Sequence, residues 1–192
     1  MEQFYNRYLK EILIDEVTLQ QRIADLGEQI TQDYREGDNL LCICILKGGV
    51  MFLTDLSRHI QIPHEVDFMA ASSYGVGARE STGSVRIDMD VTSTVTGRHI
   101  LVVEDIIDSG YTLRFVMDTL LARRPASLKL CTLLNKQSRR QIEIPIDYVG
   151  FDIEDKFVFG YGLDLDEKYR NLPFIGVVDT DRLDNKGHHD DT

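Results

Sequence analysis

His99-Ile100-Leu101-Val102-Val103-Glu104-Asp105-Ile106-Ile107-Asp108-Ser109-Gly110-Tyr111-Thr112-Leu113 is the stretch on which the fold turns. Ile100 to Val103 form an unbroken apolar run, as expected of a strand buried on both faces of a parallel sheet. Glu104 and Asp105 stand where that strand should end. Asp108 to Thr112 make a small, polar, glycine-containing turn, after which Leu113, Val116, Met117, Leu120 and Leu121 recur at helical spacing. Strand, acidic pair, tight turn and helix together describe a place to hold a sugar phosphate. N–H groups in a turn that opens a helix attract a phosphate, the paired carboxylates can accept from vicinal hydroxyls, and Asp108 remains to handle a proton. Taken alone, Asp108 reads more often as a cap on the helix that follows.

Outward from this centre, strand and helix patterns alternate. Thr18 with Gln21 reads as a capping box. Leu19, Ile23, Leu26, Ile30 and Tyr34 form the apolar stripe of the helix behind it, with Gly37 as its C-cap. Leu40 to Leu46 is a second buried strand, ending in Lys47-Gly48-Gly49 ahead of a helix over Val50 to Ile60. A Lys with two glycines at the carboxyl end of a parallel strand suits an anion contact, and it also suits a plain glycine turn with a surface Lys. His64 to Ala70 is a third strand candidate. From Gly75 to Gly83 the chain is rich in Gly, Ser and Thr, and Val85, Ile87 and Met89 then alternate with polar residues like one arm of a hairpin. A loop between two such arms can act as a water-excluding lid. Further strands are expected at Ser127–Leu134, Asp147–Phe151 and Phe174–Val178, with an acidic, polar tail from about residue 180 to 192. The pattern predicts one three-layer α/β domain over residues 1–192 with a mostly parallel sheet.

At 192 residues, with 43% hydrophobic and 28% charged side chains, the composition is that of a soluble globular domain. A formal charge of −11 argues against nucleic acid as a partner, because a phosphate backbone needs a basic face. No apolar stretch is long enough to span a membrane, and no signal-peptide pattern opens the chain. Cys42, Cys44 and Cys131 contain no CxxC spacing and are odd in number, which suits small core residues in a reduced, cytoplasmic protein.

Glu104 to Thr112 also resembles the binding motif for phosphoribosyl pyrophosphate (PRPP) of the type I phosphoribosyltransferases, and its wording is closest to their hypoxanthine-guanine branch. A second segment, Asp155-Lys156-Phe157-Val158 through Asp164 and on to Tyr169-Arg170, resembles the purine-binding region of the same branch. The resemblance covers roughly residues 40–178. It implies a small hood above the sheet and a flexible loop at about residues 73–87, with Ser73-Tyr74 at its entry. It implies transfer of the phosphoribosyl group to N9 of hypoxanthine or guanine, giving IMP or GMP and pyrophosphate.

Carried over by position, Glu104 and Asp105 hold the ribose hydroxyls, and Asp108 is the base that takes the N7 proton. Asp108, Ser109, Gly110, Tyr111 and Thr112 cradle the 5′-phosphate. Lys47, Gly48 and Arg170 meet the pyrophosphate, and in that family the peptide before this lysine, here Leu46–Lys47, is often cis. Lys136 donates to the purine 6-oxo group, Phe157 stacks on the base, and the Val158 backbone reads its edge. Asp164 binds Mg²⁺, with Glu104 and Asp105 as further candidate ligands. A homodimer or homotetramer is implied as well. Some members have Lys where this chain has Tyr111, so its 5′-phosphate would rely more on N–H groups and hydroxyls.

Each residue taken singly has a plainer reading: Phe157 and Val158 as core, Asp164 as a turn residue, Arg170 as a solvated side chain. Their joint occurrence in order is what favours the enzyme. A PRPP-sensing regulator that binds nucleic acid would need a basic surface and a helix-turn-helix, and neither is visible. A plain nucleotide-binding domain would leave the segment from Phe157 to Arg170 unexplained.

Overall fold

In a computed structural model, residues 4–74 and 84–184 are described. The larger sheet has the spatial order β4-β3-β2-β5-β6-β7. Its strands are β2 (Leu40–Leu46), β3 (His64–Tyr74), β4 (Ser84–Met89), β5 (His99–Ile107), β6 (Ser127–Asn135) and β7 (Tyr148–Asp152). All neighbours pair in parallel except β3 with β4, which form an antiparallel hairpin from Ala70 opposite Met89 to Tyr74 opposite Ser84. Helices α1 (Glu16–Asp33) and α2 (Val50–His59) cover one face, and α3 (Tyr111–Leu121) covers the other.

The alternation of β2 shows why three layers form. Cys42 and Cys44 pack with Leu19, Ile23, Phe52, Leu101 and Val103 beneath α1 and α2. Leu41, Ile43 and Ile45 pack with Val102, Leu113, Val116 and Leu120 beneath α3. A strand apolar on both sides can be satisfied only between two helical layers. Burial pushes the Cys42 and Cys44 thiols up to about 12, so they stay protonated core residues.

A second sheet of three antiparallel strands forms the hood. Here β1 (Leu9–Ile14) pairs with β9 (Ile175–Val178), which also pairs with β8 (Val158–Phe159). The strand β1 has no counterpart in the sequence reading, because its partner lies at the far end of the chain.

Several boundaries differ from expectation. Helix α1 starts earlier than the Thr18 box: Asp15 is the N-cap and accepts from the Thr18 N–H at 2.8 Å, while Gln21 donates instead to Asp25 at 2.9 Å. The helix ends at Tyr34 in extended backbone, and Gly37, with φ +99°, belongs to the next turn. The strand β5 runs through Ile107, so Glu104 and Asp105 lie within it rather than beyond its end. Pairing with β6, with Glu104 opposite Thr132 and Ile106 opposite Leu134, outweighs the poor strand propensity of acidic residues. Of the flexible loop expected at about residues 73–87, residues 73–74 and 84–87 belong instead to the paired strands β3 and β4, and residues 75–83, with the tail from 185 to 192, lie outside the described residues. The tail's first residues form a short helix, α4 (Thr180–Asp184).

The chain leaves β2 toward β3 on one side and leaves β5 toward β6 on the other. The loops after β2 and β5 therefore face each other across the point where strand order reverses, the place where open α/β sheets bind ligands.

Candidate active site

The loop after β5 is the floor of this crevice. Gly110, with φ +92°, is the N-cap of α3, and no side chain caps that helix end. The helix's first N–H groups lack intrahelical acceptors by construction, so together with the turn they form a ready anion cradle. Asp108 does not cap α3; its carboxylate accepts from Arg139 Nε at 3.2 Å. A cavity of about 240 Å³ opens here, lined among others by Leu46, Ala71, Glu104, Asp108, Ser109, Gly110 and Thr112. A wider recess of about 1140 Å³ lies behind residues 137–146. Among the described residues its wall carries Glu143, Asp152, Glu154 and Asp155 against Arg140 alone, a charge balance that repels an anion.

Glu104 and Asp105 occupy adjacent positions at the crevice wall. Burial, then the charge of Asp105, holds the Glu104 carboxyl well above its ordinary range. Burial also raises Asp105, against hydrogen bonds from Glu104 and the Ile106 N–H, the latter at 2.8 Å. Two neighbouring carboxyls cannot readily both ionise, which favours the protonated form of Glu104.

The loop after β2 closes over this pair. The Leu46–Lys47 peptide is cis. A methyl group on Gly48 would overlap the Asp105 carboxylate, and one on Gly162 would overlap the Gly48 carbonyl. Gly162, with φ +96°, also holds a backbone shape that only glycine adopts freely. Three segments distant in sequence thus meet backbone to side chain and backbone to backbone, with no room for a Cβ between them.

The segment from Gly160 to Arg170 is fixed above them. Tyr161 donates through its hydroxyl to Asp55 of α2 at 2.6 Å, and the Gly162 N–H donates to the Arg170 carbonyl at 2.8 Å. Arg170 donates back to the Gly162 carbonyl at 2.8 Å and lies 3.0 Å from Asp164. Lys47 projects to the same place and pairs with Glu167 at 2.7 Å. Lys47, Gly48, Asp164 and Arg170 are therefore gathered at one end of the crevice.

Lys136, at the end of β6, is buried at 7% exposure, and its N–H donates to the Ile107 carbonyl at 3.0 Å. Its ammonium lies 3.7 Å from Asp155. Arg139 spans the gap, 3.2 Å from Asp108 and 3.6 Å from Asp155. Phe157 is 51% exposed, unlike the core phenylalanine its composition would suggest, while Val158 beside it is buried in β8. Ser73 and Tyr74 form the end of β3.

Two residues of this arrangement went unnoticed in the sequence, Arg139 and Glu167. The partners of Arg139, and the Lys47 that Glu167 meets, come from other loops. Among the described residues, no group of three or more His, Cys, Asp or Glu side chains could cage a metal ion.

Comparison with known proteins identifies the family. The family model for a phosphoribosyl transferase domain matches residues 13–168. The chain is 47% identical over 173 residues to hypoxanthine phosphoribosyltransferase of Salmonella typhimurium, covering 90% of this chain and 97% of that one. It is 48% identical over 182 residues to hypoxanthine-guanine phosphoribosyltransferase of Mycobacterium bovis, with 92% and 90% covered. A crystal structure of a hypoxanthine phosphoribosyltransferase from Staphylococcus aureus superposes with a TM-score of 0.89 at 43% identity, over 94% of this chain and 97% of that one.

Proposed function

Because the chain belongs to the phosphoribosyl transferase family, we propose that it moves the 5-phosphoribosyl group of PRPP to N9 of a 6-oxopurine, releasing pyrophosphate. Hypoxanthine is a substrate, with guanine beside it, giving IMP and GMP. The observation that carries this reading is the tie between the β5 loop and the end of β6. Lys136 is bonded through its backbone to Ile107, and Arg139 links Asp108 to Asp155. A buried ammonium is thereby fixed beside the sugar-phosphate floor, where the base must sit.

In this reading the N–H groups and hydroxyls of Asp108 to Thr112 hold the 5′-phosphate, and Asp105 and Glu104 accept from the ribose hydroxyls. Lys47 and Arg170 face the pyrophosphate. The purine stacks on exposed Phe157, and Lys136 donates to its 6-oxo oxygen. A 6-amino purine offers that ammonium another donor, and a buried donor facing a donor is costly enough to discriminate strongly. As N9 attacks C1′, the bond from C1′ to the pyrophosphate oxygen breaks, and Asp108 takes the proton from N7. Arg139 holds Asp108 and Asp155 together, so the base becomes available when the Asp108 contact is released.

Mg²⁺ fits the residues present. It takes one or two carboxylates together with substrate phosphates rather than a protein cage, and Asp164, Asp105 and Glu104 offer hard oxygen donors at the pyrophosphate end. When bound, it would neutralise charge on the departing pyrophosphate. The three thiols are free and buried, consistent with a reduced cytoplasm, and no described helix is long and apolar enough to cross a membrane. A homodimer or homotetramer completes the proposal.

The test is a PRPP-dependent assay with hypoxanthine, guanine, xanthine and adenine side by side. Turnover of hypoxanthine with adenine excluded is expected; equal use of adenine would refute the Lys136 assignment.

A further inference from the structure

The tip of the hairpin above the crevice carries a residue that nothing so far has put to use. Leu165 and Lys168 exchange both backbone hydrogen bonds, at 3.0 and 3.2 Å, so Asp166 and Glu167 form a two-residue turn. Both sit at left-handed φ, +54° and +59°. Such turns favour Gly, Asn and Asp. Asp166 suits the position; Glu167, with a long side chain, does not, and a misfit of this kind points to a task elsewhere.

Its carboxylate has one. Glu167 Oε2 accepts from Lys47 Nζ at 2.7 Å and from Arg170 Nη2 at 3.3 Å. These cations come from loops far apart in sequence, and both are assigned above to pyrophosphate. Lys47, then Arg170, pulls the Glu167 carboxyl below its usual range, so it is an anion at neutral pH. Glu167 and Lys47 are both about two-thirds exposed, so each side chain is able to swing clear. Asp164 also meets Arg170, but it is less exposed and accepts from the Glu167 N–H at 2.9 Å, which fixes it in the turn.

We propose that Glu167 is a built-in competitor of pyrophosphate: its carboxylate holds the same two cations, must be displaced when PRPP binds, and returns as pyrophosphate leaves. The inference rests on the pyrophosphate reading of Lys47 and Arg170. A phosphate group carries more charge than one carboxylate and wins the exchange. The exchange lowers affinity for the product end of the substrate and so favours release.

The test uses the full chain and inorganic pyrophosphate, titrated calorimetrically in the presence of Mg²⁺. Glu167→Gln keeps the side-chain shape and removes the charge. Glu167→Gly also removes it and suits the left-handed turn. Both should bind pyrophosphate about two- to fivefold more tightly at low ionic strength, the scale set by exposed ion pairs. The gain should fade near 0.5 M salt, where screening is short-ranged. A residue that merely held the turn would give unchanged or weaker binding, and either result overturns the proposal. Lys47→Ala separates the two levels of argument. If it binds pyrophosphate as well as the parent, the pyrophosphate reading itself fails. If it weakens binding while Glu167→Gln gives no gain, only the competitor inference falls.

Discussion

Replacing Gly48 by Ala puts a methyl group where the Asp105 carboxylate now lies. The backbone has no retreat, because the Gly48 carbonyl is in turn pressed against Gly162. The strain must therefore fall on Asp105, which is 8% exposed and accepts from the Ile106 N–H at 2.8 Å. Turning that carboxylate away forfeits a charge-assisted hydrogen bond, about 1.5–3 kcal/mol, and forcing a methyl into a filled site costs about 1–3 kcal/mol. These are two routes to one relaxation rather than terms to add, so the expected loss is about 2 kcal/mol. For a chain of this size that lowers Tm by about 4–8 °C. The assay is thermal and urea unfolding of a double-mutant cycle: parent, Gly48→Ala, Asp105→Ala and the double variant. In the Asp105→Ala background the methyl has room, and its penalty should nearly vanish. A penalty of the same size in both backgrounds would show that the two residues do not meet, and would refute the account of how the loops after β2 and β5 are joined.

Glu104→Gln tests the acidic pair. A carboxyl raised on folding contributes stability that is complete below its ordinary value of 4.5 and is lost as pH rises through the folded value. The glutamine variant keeps the neutral form throughout. Without Mg²⁺, its Tm relative to the parent should climb as pH increases from about 4.5 to 8; a difference flat in pH would argue against a protonated Glu104. Lys136→Ala should admit adenine, measured as the ratio of kcat/KM for hypoxanthine to that for adenine. A variant that still excluded adenine would sink that role. Chelation with EDTA should abolish turnover and added Mg²⁺ restore it, whereas metal-independent turnover would refute the assignment of Asp164.

Much of this arrangement was legible in the sequence because its key parts are local. The apolar runs Leu40–Leu46 and Ile100–Val103 announce doubly covered strands, and the glycines and small polar residues after each mark the crevice loops. What could not be read depends on contacts between distant segments. The strand β1, with the pattern Leu-Lys-Glu-Ile-Leu-Ile, is half exposed and gains its identity only from β9. Arg139 is one of two adjacent arginines, and only the fold decides that it meets Asp108 while Arg140 donates to Asn135 at 2.6 Å. Glu167 looks like any surface acid until Lys47 arrives from 120 residues away. The N-terminus of α1 failed for a different reason: Asp15 and Thr18 are both good caps, and the chain takes the earlier one, gaining nearly a turn of helix.

The central claim is that the loop after β5 holds PRPP while Asp108 supplies the base. Asp108→Asn keeps the turn's N–H cradle and the side-chain shape but cannot take a proton. Measured together by PRPP titration and steady-state turnover of hypoxanthine, the variant should bind PRPP within about twofold of the parent, while kcat falls about 10²- to 10⁴-fold, the range of general-base catalysis. Undiminished turnover in the asparagine variant would contradict the claim.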